Sequence, residues 1–375
     1  MPVDIRQGMV ADMTTSELTT AVGLMSGTSM DGIDAAVIRT DGELVVETGP
    51  ALTIPYDDRF RARLRSVLGE RGDVAGVEAE LTDRHAEAVR RLLAEAGLAP
   101  ADVGLVGFHG HTIRHEPDKG VTRQIGDGAR LAAALGIAVV DRLRYADVDA
   151  GGEGAPLAPA YHRALAGGLE RPLAVLNLGG VGNVTWIGAG GDDLLAFDTG
   201  PGNAPLDDWA RRTTGAAFDV DGRLAASGRV DPARLDRLLG HGYFGRRPPK
   251  SLDRDEFAAV AEAATAGLDP ADGAALLVAF TVATIERSLA WLPQPPRRWI
   301  VCGGGRRNPV LMAGLRDRLR VPVDDADALG WDGDALEAQA FAYLAVRSRL
   351  GLPISFPGTT RVPRPLTGGR YNPAG

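Results

Sequence analysis

Apolar runs and turn-forming residues alternate in short blocks from Ala21 onward. Ala21–Met25 and Ala35–Ile38 are apolar, the stretch Ser26–Gly32 between them is rich in glycine and hydroxyls, and Asp41-Gly42 precedes a third run at Leu44–Val46. Runs of this length bounded by turn residues predict three antiparallel strands. A period near that of a helix then predicts helices over Arg59–Leu68 and Val77–Ala96. Strands are predicted at Leu105–Phe108 and Ile137–Val140, and a helix over Pro159–Leu165.

The pattern then restarts. Leu173–Leu176, Val184–Ile187 and Leu194–Phe197 are apolar, with glycine turns at Gly179–Gly182 and Gly188–Gly191. The second copy begins at Ala174 as the first does at Val22. A repeated β-turn-β-turn-β unit, each copy followed by helices, predicts two similar lobes with a cleft between them. The remainder alternates again: a helix Ala274–Leu292, a Pro-rich connector Leu292–Arg298, a strand Trp299–Val301, a helix Asn308–Leu319 and a closing helix Asp334–Leu350. The expected organisation is a loose tail over residues 1–20, a first lobe over 21–170 and a second over 171–375.

Composition narrows the function. With 375 residues, 45% hydrophobic and 24% charged, the chain reads as an ordinary globular protein of about two domains. Lys plus Arg is 41 against 49 Asp plus Glu, a net charge of -8, which argues against a nucleic-acid-binding surface. The one cysteine, Cys302, excludes an intrachain disulfide and fits a reducing compartment. The N-terminus lacks an apolar signal core, and no stretch is expected to reach the roughly 18 apolar residues of a membrane span. A cytoplasmic protein with no membrane partner is the expectation, and the sequon Asn183-Val184-Thr185 is read as chance.

Three segments suit phosphate groups, which need backbone N–H donors at tight, small-residue turns. Ser26–Asp34 offers hydroxyls and two carboxylates, Asp31 and Asp34, able to hold Mg²⁺ through water. Asn177–Asn183 is the second, and Gly303–Asn308, leading from a strand into a helix, is the third. A single glycine turn is ordinarily only a turn; two at equivalent places in a repeat, with a third, point to a nucleotide. Neither a P-loop nor a dinucleotide-binding glycine string is present.

Asp198 ends an apolar run and precedes Thr199-Gly200-Pro201-Gly202-Asn203. An aspartic protease needs a second Asp-Thr-Gly, which the chain lacks. The reading is a general base in the cleft, against the plainer one of a turn-capping Asp. His109, His111 and His115 have a spacing open to a metal, but no acidic or thiol ligand pairs with them, and a polar substrate contact is preferred. Gln124–Gly128 reads as a strand end meeting a helix N-cap. Arg144 suits a substrate carboxylate or an ion pair, and Glu337 either reaches the cleft or is solvated.

These strings resemble one family. Gly23 to Asp34 is similar to the opening signature of the anhydro-N-acetylmuramic acid kinases. The likeness continues through Gly107–Gly110, Gln124–Asp127, Gly151-Gly152, Gly154–Leu157, Asn177–Gly180, Asp198–Asn203, Pro248–Ser251 and Cys302–Gly305. The resemblance implies a two-lobed, actin-like (ribonuclease H-like) α/β fold with a duplicated mixed-sheet core, and ATP with Mg²⁺. It implies conversion of 1,6-anhydro-N-acetylmuramic acid to N-acetylmuramic acid 6-phosphate in peptidoglycan recycling, and a homodimer. It places ATP at Gly27, Thr28, Ser29, Met30, Asp31, Gly32, Ile33 and Asp34, and at Gly179, Gly180, Asn183, Gly303, Gly304, Gly305 and Asn308. Asp198 becomes the base, and His109, Gln124, Asp127, Arg144, Gly152 and Glu337 become sugar contacts.

The chain departs from the family where His111 and Glu153 replace the usual Gln, and where Leu252-Asp253-Arg254-Asp255 replaces Thr-Gly-Arg-Glu. A negative Glu153 near a lactyl carboxylate is unfavourable unless it is paired or turned away. The rival readings are a levoglucosan-type anhydrosugar kinase and a catalytically silent sugar-binding protein on the same fold.

Overall fold

The computed structural model describes residues 18–27, 30–190 and 193–375. Its strands are β1 Thr19–Ser26, β2 Gly32–Thr40, β3 Val46–Pro55, β4 Leu105–Glu116, β5 Val121–Ile125, β6 Val139–Asp141, β7 Leu173–Leu178, β8 Val181–Ile187, β9 Leu194–Pro201, β10 Trp299–Cys302, β11 Val323–Asp325 and β12 Arg370–Asn372. One sheet runs β12-β6-β4-β1-β2-β3 with β5 paired to β4, and the other runs β11-β10-β7-β8-β9. In each, an antiparallel three-strand meander carries a parallel neighbour on its first strand, β4 beside β1 and β10 beside β7. A further parallel strand follows, β6 or β11. The pattern repeat in the sequence is therefore a repeat of topology, and the fold is the duplicated actin-like one.

β1 and β7 are covered on both faces, which is why they read as continuous apolar runs. β3 is an edge strand with most side chains in water, so its periodic signal is weak. The third run expected at Leu44–Val46 falls mainly in the preceding turn. There Asp41 Oδ1 accepts from the N–H groups of Glu43, Leu44 and Val45, and Leu44 is 71% exposed.

The expected division at residue 170 needs correction. The helix Leu336–Arg349 packs on β1, β2 and β4 of the first sheet, and β12 pairs with β6. Helix and sheet approach so closely that a Cβ at Gly23 would sit 1.8 Å from the Ala338 carbonyl oxygen, and one at Gly107 would sit 2.1 Å from that of Phe341. Gly23 and Gly107 are register partners in β1 and β4. The same helix meets the helix Pro159–Leu165, where the Tyr161 hydroxyl donates to Gln339 Oε1 at 2.9 Å. One apolar core thus joins Ala21 and Ile38 of the first sheet to Val175 and Ile300 of the second through Tyr161 and Tyr343. A helix apolar on nearly every side tells of burial but not of its partners, which is why sequence order misassigned it. Of the expected tail, Thr19 and Thr20 belong to β1, and residues 1–17 lie outside the described residues.

The membrane expectation is also corrected in one detail. Pro270–Trp291 is long and apolar enough to cross a membrane by length and composition. It lies mostly buried in the second lobe, where Leu277 and Ile285 share a core with Trp209 and Leu315. Beside it, Phe244, Phe257 and Phe280 form an aromatic cluster with Tyr243, whose hydroxyl reaches the Asp198 carbonyl.

Candidate active site

Asp198 stands near the end of β9, directly opposite Asn183 of β8, which faces Asn177 of β7. Opposed residues share a sheet face, so these make a polar row on a largely apolar sheet. The Asp198 carboxylate does not cap its own turn. Its Oδ2 accepts from Leu252 N–H at 2.8 Å, its own N–H donates to the Lys250 carbonyl at 2.9 Å, and its carbonyl accepts from the Tyr243 hydroxyl at 2.6 Å. Among the described residues, Oδ1 has no hydrogen-bond partner. Burial pushes the Asp198 carboxyl up to about 7; the Leu252 N–H and the Lys250 charge oppose the rise, and the Glu153 charge adds to it. A carboxyl titrating near neutrality is matched to general-base work.

Lys250 is buried among rings, with Nζ 4.4 Å from the Tyr243 centroid, 5.7 Å from that of Trp291 and 5.9 Å from that of Phe197. Burial lowers its ammonium to about 8. Glu153, whose charge the sequence made suspect, is paired. Its Oε1 meets Arg361 Nη1 at 2.9 Å and its Oε2 accepts from Ser251 Oγ at 3.2 Å.

Arg144 is no surface ion-pair partner. Its Nε donates to His109 Nε2 at 2.9 Å and its Nη1 to the Gly154 carbonyl at 2.7 Å. His109 must then carry its proton on Nδ1, which faces the Gly110 carbonyl at 2.9 Å. Burial, helped by the Arg144 charge, holds the imidazole well below its usual range, so it is neutral. Burial lowers Arg144 as well, opposed by Glu337 and Asp147. Glu337 lies in the first turn of the helix Leu336–Arg349, and its residue is exposed. Desolvation by the surrounding protein still raises it, with Arg144 opposing and Asp34 adding.

The glycine turns of the second lobe converge. The Gly179 and Gly180 carbonyls accept from Asn203 N–H at 2.8 Å and Gly202 N–H at 2.9 Å, and Asn203 Nδ2 donates to the Leu178 carbonyl at 2.9 Å. Gly303, at φ +75, would place a Cβ 2.3 Å from Asn177 Oδ1, and Gly305 would place one 2.6 Å from Leu178 Cβ. Gly304 stays open, with its nearest neighbour at 3.9 Å. Asn308 is occupied as the cap of the helix Pro309–Leu319, accepting from Val310 and Leu311 N–H.

In the first lobe, Met30 N–H donates to the Gly27 carbonyl at 3.0 Å, Tyr56 N–H to the Asp31 carbonyl at 2.9 Å and Arg61 Nε to the Met30 carbonyl at 3.1 Å. Thr28 and Ser29 lie outside the described residues. Gly32, Ile33 and Asp34 begin β2, and Asp34 Oδ1 accepts from Thr53 Oγ1 at 2.6 Å. Burial raises the Asp34 carboxyl, and the charges of Asp334, Asp31 and Asp332 add to the rise. Among the described residues, no three His, Cys, Asp or Glu side chains are close enough to ligate a metal directly. Two carboxylates, Asp31 and Asp34, fit an ion held mostly through water and nucleotide oxygens, as Mg²⁺ is.

Each of the three spaced histidines has its own protein partner. His109 serves Arg144, and His115 Nδ1 pairs with Thr122 Oγ1 at 2.9 Å. His111 Nδ1 lies 3.0 Å from Ser26 Oγ, which also meets the Tyr56 hydroxyl at 2.8 Å, so His111 is tied to the end of β1. A cavity of about 440 Å³ lies beside His109, lined also by Gln124, Asp141, Arg142 and Tyr145. Asp127 does not line it; its carboxylate caps the helix Gly128–Leu135 through Ala129 and Arg130 N–H. Gly152 donates its N–H to the Asp147 carbonyl at 2.9 Å, and a Cβ there would meet Asp147 Oδ1 at 2.2 Å.

Sequence reasoning passed over Lys250, Asp207 and Arg254. Burial pushes the Asp207 carboxyl up to about 7, and the charge of Asp31 from the other lobe adds to the rise. Arg254 lies across Gly180, 3.7 Å from where a Cβ would stand, and pairs with Asp208 at 3.2 Å. Asp207 stands in no motif, Arg254 entered only within the string that departs from the family pattern, and the Pro248–Ser251 string served only as a resemblance.

Repeated sheets, glycine turns in both halves and a strand-end carboxyl raised to about 7 fit an actin-like kinase. The sequence profile of anhydro-N-acetylmuramic acid kinases matches residues 19–374. A Rhodospirillum rubrum protein named anhydro-N-acetylmuramic acid kinase is 60% identical over 359 residues, 94% of each chain. A Paramagnetospirillum magneticum protein of the same name is 57% identical over 352 residues, 94% of this chain and 99% of its own. One solved structure of similar fold is distant in sequence. Component A of (R)-2-hydroxyglutaryl-CoA dehydratase from Acidaminococcus fermentans is 12% identical with a TM-score of 0.49, over 88% of this chain and 99% of that one. The chain belongs to the anhydro-N-acetylmuramic acid kinase family.

Proposed function

We propose that the chain opens 1,6-anhydro-N-acetylmuramic acid with water and phosphorylates it to N-acetylmuramic acid 6-phosphate. Asp198 Oδ1 takes a proton from water as the water oxygen bonds to the anomeric carbon. The bond from that carbon to the bridging oxygen breaks, and the freed oxygen at C6 attacks the γ-phosphorus of ATP, releasing ADP. Such a transfer needs mainly alignment and charge neutralisation. The N–H groups of the glycine turns would supply part of it, and Asp31 and Asp34 would hold, through water, a Mg²⁺ ion whose charge would offset that of the phosphoryl oxygens.

One observation carries the reading: Asp198 has one oxygen fixed by Leu252 N–H, the other unpartnered, and a carboxyl raised to about 7. Arg144 supports the amino-sugar substrate. Its Nε and Nη1 are spent on protein, while Nη2 has no partner among the described residues and suits a lactyl carboxylate. On this reading we place the protein in peptidoglycan recycling in the cytoplasm, acting as a homodimer. Asp198→Asn tests the reading. Turnover should fall at least roughly 100-fold with nucleotide and sugar still bound, and near-parental turnover removes Asp198 from the mechanism. Comparison of kcat/KM on levoglucosan separates the rival anhydrosugar kinase, which has no use for an anion contact.

A further inference from the structure

We propose that Glu153 is a positioning residue for Asp198, holding the strap Lys250–Leu252 against the end of β9 and setting a second negative charge beside the base. The inference rests on Asp198 being that base. Consecutive residues of the strap bind the two carboxylates: Ser251 Oγ donates to Glu153 Oε2 at 3.2 Å, and Leu252 N–H donates to Asp198 Oδ2 at 2.8 Å. The third strap residue closes the link, since the Lys250 carbonyl accepts from Asp198 N–H at 2.9 Å.

Glu153 is itself held in place. Its N–H donates to the Thr360 carbonyl at 2.7 Å, Arg361 pairs with Oε1 at 2.9 Å, and the next N–H, that of Gly154, donates to Asp147 Oδ1 at 2.6 Å. Thr360 Oγ1 donates to the other Asp147 oxygen at 2.5 Å. The main chain at Glu153 is therefore fixed by a buried network, and its carboxylate cannot turn from the strap without breaking its charged pair with Arg361.

The charged neighbours give the effect its sign. Asp198 faces the Glu153 carboxylate and the Lys250 ammonium, and the Tyr243 phenol donates to its carbonyl; Arg246 and Glu256 act on Tyr243 from the loop beyond. Glu153 faces Arg361, with Arg144 at the Gly154 carbonyl, Asp147 at the Gly154 N–H and His115 beside its main chain. A like charge disfavours ionisation and an opposite charge favours it. Glu153 thus keeps the base protonated to higher pH, and Arg361 moderates Glu153.

The test is the pH dependence of kcat/KM for 1,6-anhydro-N-acetylmuramic acid at saturating ATP and Mg²⁺, for the parent, Glu153→Gln, Arg361→Gln and Asp198→Asn. The acid limb should move to lower pH in Glu153→Gln and to higher pH in Arg361→Gln, each by roughly half a pH unit or more. A purely structural role lowers rates without moving the limb. Unmoved limbs, or limbs moving the same way, overturn the proposal while a dead Asp198→Asn leaves the base reading standing. Near-parental turnover in Asp198→Asn overturns both. If Glu153→Gln does not fold, the direction of the limb in Arg361→Gln decides alone.

Discussion

Arg144 and His109 are joined by one hydrogen bond, Nε to Nε2 at 2.9 Å, and it fixes both the tautomer of the imidazole and the aim of the guanidinium. A lysine has no fork to serve His109, the Gly154 carbonyl and a substrate anion together. Arg144→Lys should raise KM for the anhydro amino sugar roughly tenfold or more, the loss of a charged hydrogen bond. KM for ATP should change little. Steady-state kinetics in both substrates checks this; equal rises in both would place Arg144 outside the sugar site.

Asp198 should be costly to stability as well as useful. Its folded carboxyl is raised from 3.8 to about 7, so the folded state binds its proton more tightly than the unfolded chain does. Stability from this group is fully present below about 4 and is lost as pH rises through about 7. Asp198→Asn removes that titration. Its melting temperature should exceed the parent's at pH 8, with the gap closing as pH falls from 7 towards 4, as calorimetry across pH will show.

Lys250 should act on the rate profile in the sense opposite to Glu153. Its ammonium opposes the rise in Asp198. Lys250→Met should therefore move the acid limb of kcat/KM to higher pH. A limb that stays in place would mean that the lysine serves only its aromatic cage.

Gly107 and Gly23 carry the closest approach of a helix backbone to the first sheet. Neither has a flexible side chain opposite it, so the clash cannot be relieved locally. Gly107→Ala should destabilise the protein by about 3 kcal/mol or more, visible as a lowered denaturation midpoint or loss of soluble protein. An unchanged midpoint would mean that the helix Leu336–Arg349 shifts without cost.

Legibility in the sequence followed burial and locality. β1, β7 and the strand end at Asp198 were readable because strands covered on both faces give continuous apolar runs and the turns announce themselves by glycine. β3 was displaced because an edge strand has no such run. The helix Leu336–Arg349 was identified as an element but given to the wrong lobe, because no local pattern records a return to β1 and β4. His111 was read with His109 from its spacing, and plain alternation would keep the two on one face; the register shift around Gly110 (φ +73), between the pairs Leu24–Phe108 and Ser26–His111, breaks that alternation and His111 meets Ser26 instead. The pairing of Glu153 with Arg361 joins residues far apart in the chain, and no short motif encodes it.

The account stands most directly on where the water oxygen goes. Incubation with 1,6-anhydro-N-acetylmuramic acid, ATP and Mg²⁺ in ¹⁸O-water, followed by mass spectrometry of the product, reads this. The account predicts one ¹⁸O on the anomeric carbon, an unlabelled bridging oxygen at C6 bearing the phosphate, and loss of this product in Asp198→Asn. An unlabelled anomeric position, or a phosphate on any other oxygen, would contradict it.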